Sequence, residues 1–392
     1  MDASEIRDEE SFRAWLDTLP ERVGEGEARR IAVWLASRAA LRAWPLAWDF
    51  RTVGDLNAVL TPLPVLRCLV ISSIERTLPA DDIRLAVAAA QATADPVKYH
   101  AYAYAKPSSP INIATACADA VYAATLAASS TANAAFATKA AAAAVDAVNA
   151  SLFATTTAES WQAISLDAQT DGAKSTPRLW PNGAPGRWPS FADPPDAGWQ
   201  FWIDWYDDIL NGRPQNWPML TEIALIAPEH WDAGPDVVNP MIALIAEKYR
   251  LMAEAAALKE QVRQARTALH DLERRAHNNP PELVDEGVAE ARQAITLIWE
   301  ALDEAETELA KADPAPSKLK AIGARLIELG RSFVVYCGGK LDIALTVVIK
   351  EAAKTGTKWS IGLGATYFTA QQPQVQSLGK ALMDLAAKWG GG

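Results

Sequence analysis

Two stretches of this chain repeat apolar residues at alternating spacings of four and three on either side of a double proline. The first runs Leu251, Ala255, Leu258, Val262, Ala265, Leu269, Leu272, Ala276, and the second Val284, Val288, Ala291, Ile295, Ile298, Leu302, Ala305, Leu309, Ala312. A mean spacing of 3.5 residues keeps one stripe of an α-helix against a partner along its whole length. Between the stretches lies Asn278-Asn279-Pro280-Pro281. Proline lacks an amide proton and crowds the preceding turn, so the first helix is expected to stop there and the chain to reverse. The pattern predicts a long antiparallel coiled-coil hairpin. Its interaction seam is expected at Leu251, Leu258, Val262, Leu269, Ile295, Ile298, Leu302 and Leu309.

With 392 residues the chain is long enough for two or three units, each with a core of its own. The three cysteines, Cys68, Cys117 and Cys337, are odd in number and far apart, which argues against a disulfide framework and a zinc site. The first residues, Met1-Asp2-Ala3-Ser4-Glu5, lack the basic and apolar regions of a secretory signal. No run approaches the 18 to 20 strongly apolar residues, roughly, that a spanning helix needs. The expected compartment is therefore the cytoplasm, with peripheral membrane association as a variant.

The net charge of -11 is unevenly placed. Residues 313–392 carry ten Lys and Arg against five acids, a balance of +5, which leaves -16 on residues 1–312. Such a tail can meet an anionic surface that the body repels, or dock on the acidic body itself.

Along the chain, Phe12, Trp15 and Leu19 share a helical face, and Ile31, Trp34, Leu41 and Trp44 predict a second helix ending at Pro45. The apolar run from Val65 to Ile74 fits a buried helix or a short strand equally well. Asp81 and Asp82 fit the cap of a helix over 83–94. From Pro110 the sequence turns alanine-rich, a composition that permits long, closely packed helices. Pro177, Pro181, Gly183, Pro185, Gly186, Pro189, Pro194 and Pro195 predict a linker over 172–198. Seven of the fifteen tryptophans then fall between Trp180 and Trp231, and Asn239-Pro240 predicts the start of the long helix. After the hairpin, Leu319, Ile322, Leu326, Leu329 and Phe333 renew the 3-4 spacing, and Leu378, Leu382, Leu385 and Trp389 mark a terminal helix. The expected organisation is an Ala-rich helical domain over 1–171, a linker over 172–198 and a Trp-rich segment over 199–238, then the hairpin over 239–312 and a basic helical region over 313–392. The expected class is all-α, a helical bundle.

Catalytic patterns are sparse. Ser317-Lys318-Leu319-Lys320 followed by Lys354-Thr355-Gly356 imitates a serine acyl-enzyme, but the two elements are close in sequence and no strand is expected to carry the second. The serine reads more simply as a helix cap. Cys337-Gly338-Gly339-Lys340 lacks the first glycine and the Ser or Thr of a phosphate loop. The four histidines form no close ligand pair. Asp204, Asp207, Asp208, Glu222 and Glu229 beside the tryptophans suit a carbohydrate site, whereas tryptophans at helical spacing suit a core. Basic clusters with interleaved aromatics are absent, which argues against nucleic-acid binding. No pattern calls for a catalytic residue, a metal or a cofactor.

The segment Phe201-Trp202-Ile203-Asp204-Trp205-Tyr206, with Asn211-Gly212-Arg213-Pro214, Ile223-Ala224-Leu225-Ile226, Gly234-Pro235 and Val238-Asn239, resembles a segment of uncharacterised bacterial proteins, where it often follows an alanine-rich tract. The resemblance implies a bacterial origin and carries no activity.

The leading expectation is a non-enzymatic helical protein that assembles, with itself or with a partner protein, through the hairpin. A second reading is a membrane-perturbing effector of a cell-killing or antiphage kind, meeting anionic lipid through Leu345, Val348, Lys354, Lys358 and Trp359. A third is a hydrolase or carbohydrate-binding protein using the Trp-rich segment.

Overall fold

Every described element is a helix or a turn, and the reason is visible at their ends. The computed structural model describes residues 2–48, 62–74, 119, 122, 145, 157–170, 177–183, 197–276, 285–332 and 362–390. A short 3-10 turn at Ala3–Glu5 is closed by Asp2, whose side chain accepts from the Ser4 amide. Helix α1 (Glu9–Val23) starts at a capping box between Asp8 and Ser11. It ends at Gly24, whose φ of 85° is open to a residue without a Cβ. Helix α2 (Glu25–Trp48) follows at once, then α3 (Pro62–Ile74) and α4 (Thr157–Gln169). The Trp-rich part supplies a 3-10 turn at Ala197–Trp199, α5 (Gln200–Leu210), α6 (Trp217–Ala224) and α7 (Pro228–Asp232). The long α8 (Pro235–Ala276), α9 (Asp285–Leu309), α10 (residues 316–332) and α11 (Gly362–Trp389) complete the set.

Contacts divide the chain into two units, Met1–Ala243 and Leu244–Gly392. In the first unit α2 packs against α1, α3 and α4, and α3 packs against α6. Phe12, Trp15 and Leu19 are buried, as their shared face predicts, with the Phe12 ring 6.0 Å from that of Trp161 on α4. The run 65–74 is a helix, so every one of its apolar residues has a wall to meet. Residues 177–183, within the expected linker, pack into this unit: Leu179 and Trp180 are buried and the Leu179 amide donates to the Leu210 carbonyl.

Two helix boundaries differ from the sequence expectation. Helix α2 runs through position 45 to Trp48. Helix α8 begins at Pro235, not Asn239, because Gly234 at φ 96° turns the chain and Pro235 then takes the first helical position, where a missing amide costs nothing. Asn239 is buried inside the helix and accepts from Trp202 Nε1 at 3.1 Å.

The second unit is a helical bundle around one hydrophobic cluster. It joins Leu251, Leu258 and Val262 of α8 and Ile295, Ile298, Leu302 and Leu309 of α9 to Leu319, Ile322 and Leu326 of α10 and Val375, Leu378, Leu382 and Leu385 of α11. Helices α10 and α11 approach until their backbones touch. A Cβ placed on Gly379 would lie 2.6 Å from the Gly323 carbonyl oxygen and 2.9 Å from Ile327 Cγ1. Neither helix can yield locally, so Gly379→Ala is expected to lose about 1–2 kcal/mol: overpacking of about 1–3 kcal/mol outweighs the helix-propensity gain of at most about 1 kcal/mol. At Gly330 the nearest atom is the flexible Gln376 side chain at 2.7 Å, so Gly330→Ala is expected to be neutral or slightly stabilising. Thermal melts of the two variants check the contrast, and equal melting temperatures would refute it.

Candidate functional site

Of the eight positions that the 4-3 spacing marks as a seam, seven have described side chains. Leu251, Leu258, Val262, Ile295, Ile298, Leu302 and Leu309 are all buried, at 3% exposure or less. The structure brings them together in the cluster of the second unit. Leu269 lies on the helical backbone of α8, and its side chain falls outside the described residues. So do Leu345, Val348, Lys354, Lys358 and Trp359, the turn 277–284, and the suggested cap at Asp81 and Asp82.

Polar contacts tie α8 to α9 in opposing order. Lys248 Nζ donates to the Lys311 carbonyl just beyond α9 at 3.1 Å, while Lys259, eleven positions on, pairs with Asp303 and Glu306. Those carboxylates raise the pKa of Lys259, and its ammonium also lies 5.1 Å from the Trp299 ring. Arg250 with Glu247 and Glu254, and Arg263 with Glu260, decorate the outer face of α8. The Arg263 hydrogen bond, with Gln264, holds Glu260 down to about 2, yet such exposed pairs contribute little to stability.

One corner of this unit was not legible as a site. Glu308 is 4% exposed and accepts from Lys311 Nζ and, at 2.8 Å, from the Ala315 amide. Burial works to raise its pKa, but these hydrogen bonds hold it below the ordinary carboxylate value. Lys248 is 2% exposed and stacks on the Trp389 ring, whose Nε1 donates to Asp313 at 3.1 Å. Trp389 thereby fastens the last turn of α11 to the connector between α9 and α10. Spacing marked Trp389 as apolar but gave no sign of its polar partner 76 positions away.

The Trp-rich segment of the first unit is built as core. Trp199, Trp202, Trp205 and Trp231 are buried, and Trp202 meets Trp205 edge to face at 5.8 Å. Tyr206 donates to the Leu41 carbonyl of α2 at 3.1 Å. A crevice lined by Trp34, Arg38, Ser73, Trp205, Gln215 and Trp217 encloses about 20 Å³, room for one water but not a sugar ring. The acids proposed beside these tryptophans do not line it: Asp207 and Asp208 hold Arg213, and Asp204 accepts from Gln200.

A buried ion-pair cluster lies between α2 and α4, and no sequence motif announces it. Arg38 and Arg42, one turn apart on α2 and about 1–2% exposed, both pair with the buried Asp167 of α4. Arg38 also donates to the carbonyls of Pro177 and Arg178, and Arg42 to that of Leu179. Burial pushes the Arg42 pKa down and Asp167 opposes the shift. No register marks the two arginines, because residues 32–42 of α2 are buried on every side.

Among the described residues no group of His, Cys, Asp and Glu could hold a metal ion, and no helix is long and apolar enough to cross a membrane. Comparisons with protein-family models, curated proteins and solved structures find no match to this chain.

Proposed function

We propose that this is a non-enzymatic helical protein whose α8 and α9 form an antiparallel coiled-coil hairpin that mediates assembly, with a second copy or a partner subunit. One observation carries the reading. Helix α8 continues fourteen residues past Val262 to Ala276, and α9 begins ten residues before Ile295, at Asp285. At about 1.5 Å per residue these are helical arms of about 21 and 15 Å beyond the last described core positions. The 4-3 apolar spacing persists along both, through Leu269 and Leu272 on one and Val288 and Ala291 on the other. The opposing order of the Lys248 and Lys259 contacts supports the antiparallel pairing. The reading includes the bacterial origin suggested by residues 201–239.

Light scattering of the full chain tests the proposal. The wild type is expected to show at least twice the monomer mass, and Leu269→Asp to fall to the monomer while keeping its helical circular dichroism, since position 269 lies seven residues beyond Val262. A monomeric wild type with no partner in co-purification would sink the assembly reading. Binding to anionic vesicles instead would favour the membrane reading of the basic tail.

A further inference from the structure

The helices of the second unit alternate in direction, and the contacts between them fix the levels at which they pass. Lys248 and Lys259 set α8 against α9, and Glu308 with the Ala315 amide just before α10, together with Glu300 and Arg325, set α9 against α10. Gly323 against Gly379 and Gly330 against Gln376 set α10 against α11. Helix α11 therefore runs opposite to α8, with the Trp389 ring 5.6 Å from Lys248 Nζ. Fourteen residues on from Lys248 stands Val262, and fourteen before Trp389 stands Val375. Both are buried in the same cluster.

Helix α11 begins well before Val375. Residues 362–374 make about 20 Å of helix at about 1.5 Å per residue, on the same side of the Val262 and Val375 level as the α8 arm of about 21 Å. Ile295 shows independently that the base of the arms is covered. The pairings of Lys248 and Lys259 place it roughly one turn beyond Val262, yet it is only 3% exposed. Two helices alone leave the flank of their seam open, so a third element closes over Ile295.

The sequence of α11 fits that role. The 4-3 spacing of Trp389, Leu385, Leu382, Leu378 and Val375 continues backwards through Gln371, Phe368 and Gly364, and equal counting from Lys248 and Trp389 brings Phe368 level with Leu269. Only Phe368 of those three is large and apolar, so this half of α11 closes more weakly than the half from Val375 onward. Residues 362–379 carry no charge that packing would have to desolvate. Pro373 falls at the junction of the two halves. It has no amide to donate to the carbonyl of residue 369, and a helix bends most readily at such a point.

Building on the assembly reading above, we propose that residues 362–374 are a strap that lies along the α8 and α9 arms, hinges at Pro373 and competes with a second copy of the chain for the arm seam. Closed, the strap keeps the seam within one molecule. Opened, it releases the seam for assembly.

Sedimentation velocity of the full chain over a dilution series gives the self-dissociation constant, and Phe368→Asp removes the strap's one large seam residue. A strap closed about nine-tenths of the time withholds about ten-fold in affinity for each protomer that must open, so the variant is expected to assemble at least about ten-fold more tightly. An unchanged constant overturns the proposal. A weaker one does so as well, because 362–374 would then belong to the interface itself. Phe368→p-benzoylphenylalanine supplies a second measurement, irradiated at the dilution where the chain is monomeric. Intrachain adducts within 263–276 or 285–294 support the strap, and adducts elsewhere or none overturn it. Monomer at every concentration in both the wild type and Phe368→Asp sinks the assembly reading, and the adducts then decide by themselves whether the strap covers the arms.

Discussion

Asp167→Ala is expected to destabilise the first unit by about 3–5 kcal/mol, because it strands two buried guanidinium groups whose common partner is gone. That is comparable to the whole stability of a modest domain, roughly 5–15 kcal/mol, so a large unfolded fraction should appear near room temperature. Asp167→Asn retains the hydrogen-bond acceptor and loses the charge, and should fall between. The arginines also hold the carbonyls of 177–179, so the alanine variant should become sensitive to protease in that segment before it melts globally. A melting temperature within about 2 °C of the wild type would show that the guanidinium groups reach solvent or another acceptor.

Leu258→Asp is expected to be as damaging in the second unit. The position is 2% exposed and packed among residues of the four-helix cluster. Removing the leucine costs about 2–5 kcal/mol in lost burial and residual cavity, and an unpaired carboxylate in its place adds a further penalty. Loss of the second unit's cooperative transition, with the first retained, is the expected calorimetric result. If Leu258→Asp melts normally and merely changes mass in solution, the seam at that point faces a partner and not α10 and α11. Comparison with Leu269→Asp separates core from arm, since the arm variant is expected to alter mass without unfolding.

The legible parts of this chain were those where one physical signal acts alone. Large aliphatic residues at 3.5 spacing on α8 to α11 point inward for the same reason that they recur, and Leu319, Leu326, Leu378 and Leu382 are buried as their spacing predicts. The Phe12, Trp15 and Leu19 face and the burial of Trp202 and Trp205 follow likewise. Boundaries are less legible: proline at position 45 predicts a helix end, yet α2 runs on to Trp48, and the pair Gly234-Pro235 sets the start of α8 more effectively than Asn239-Pro240. The buried polar groups were hardest to see. Arg38, Arg42, Asp167 and Lys248 belong to residue types that are almost never fully buried unless paired, and their partners lie across long sequence separations. Arg42 meets a residue 125 positions away. Composition and period carry no record of such partners.

The fastening of Trp389 to Asp313 and Lys248 bears on how the protein is made. Helices α8, α9 and α10 emerge from synthesis well before α11, and until residue 389 has been added their inner faces, from Leu251 to Leu326, have no fourth wall. Contacts that close late over a long separation leave apolar surface open to other chains in the meantime. A nascent or truncated polypeptide that stops short of Val375 is therefore the form most prone to chaperone capture and aggregation, and the final turn of α11 acts as the release point from that hazard.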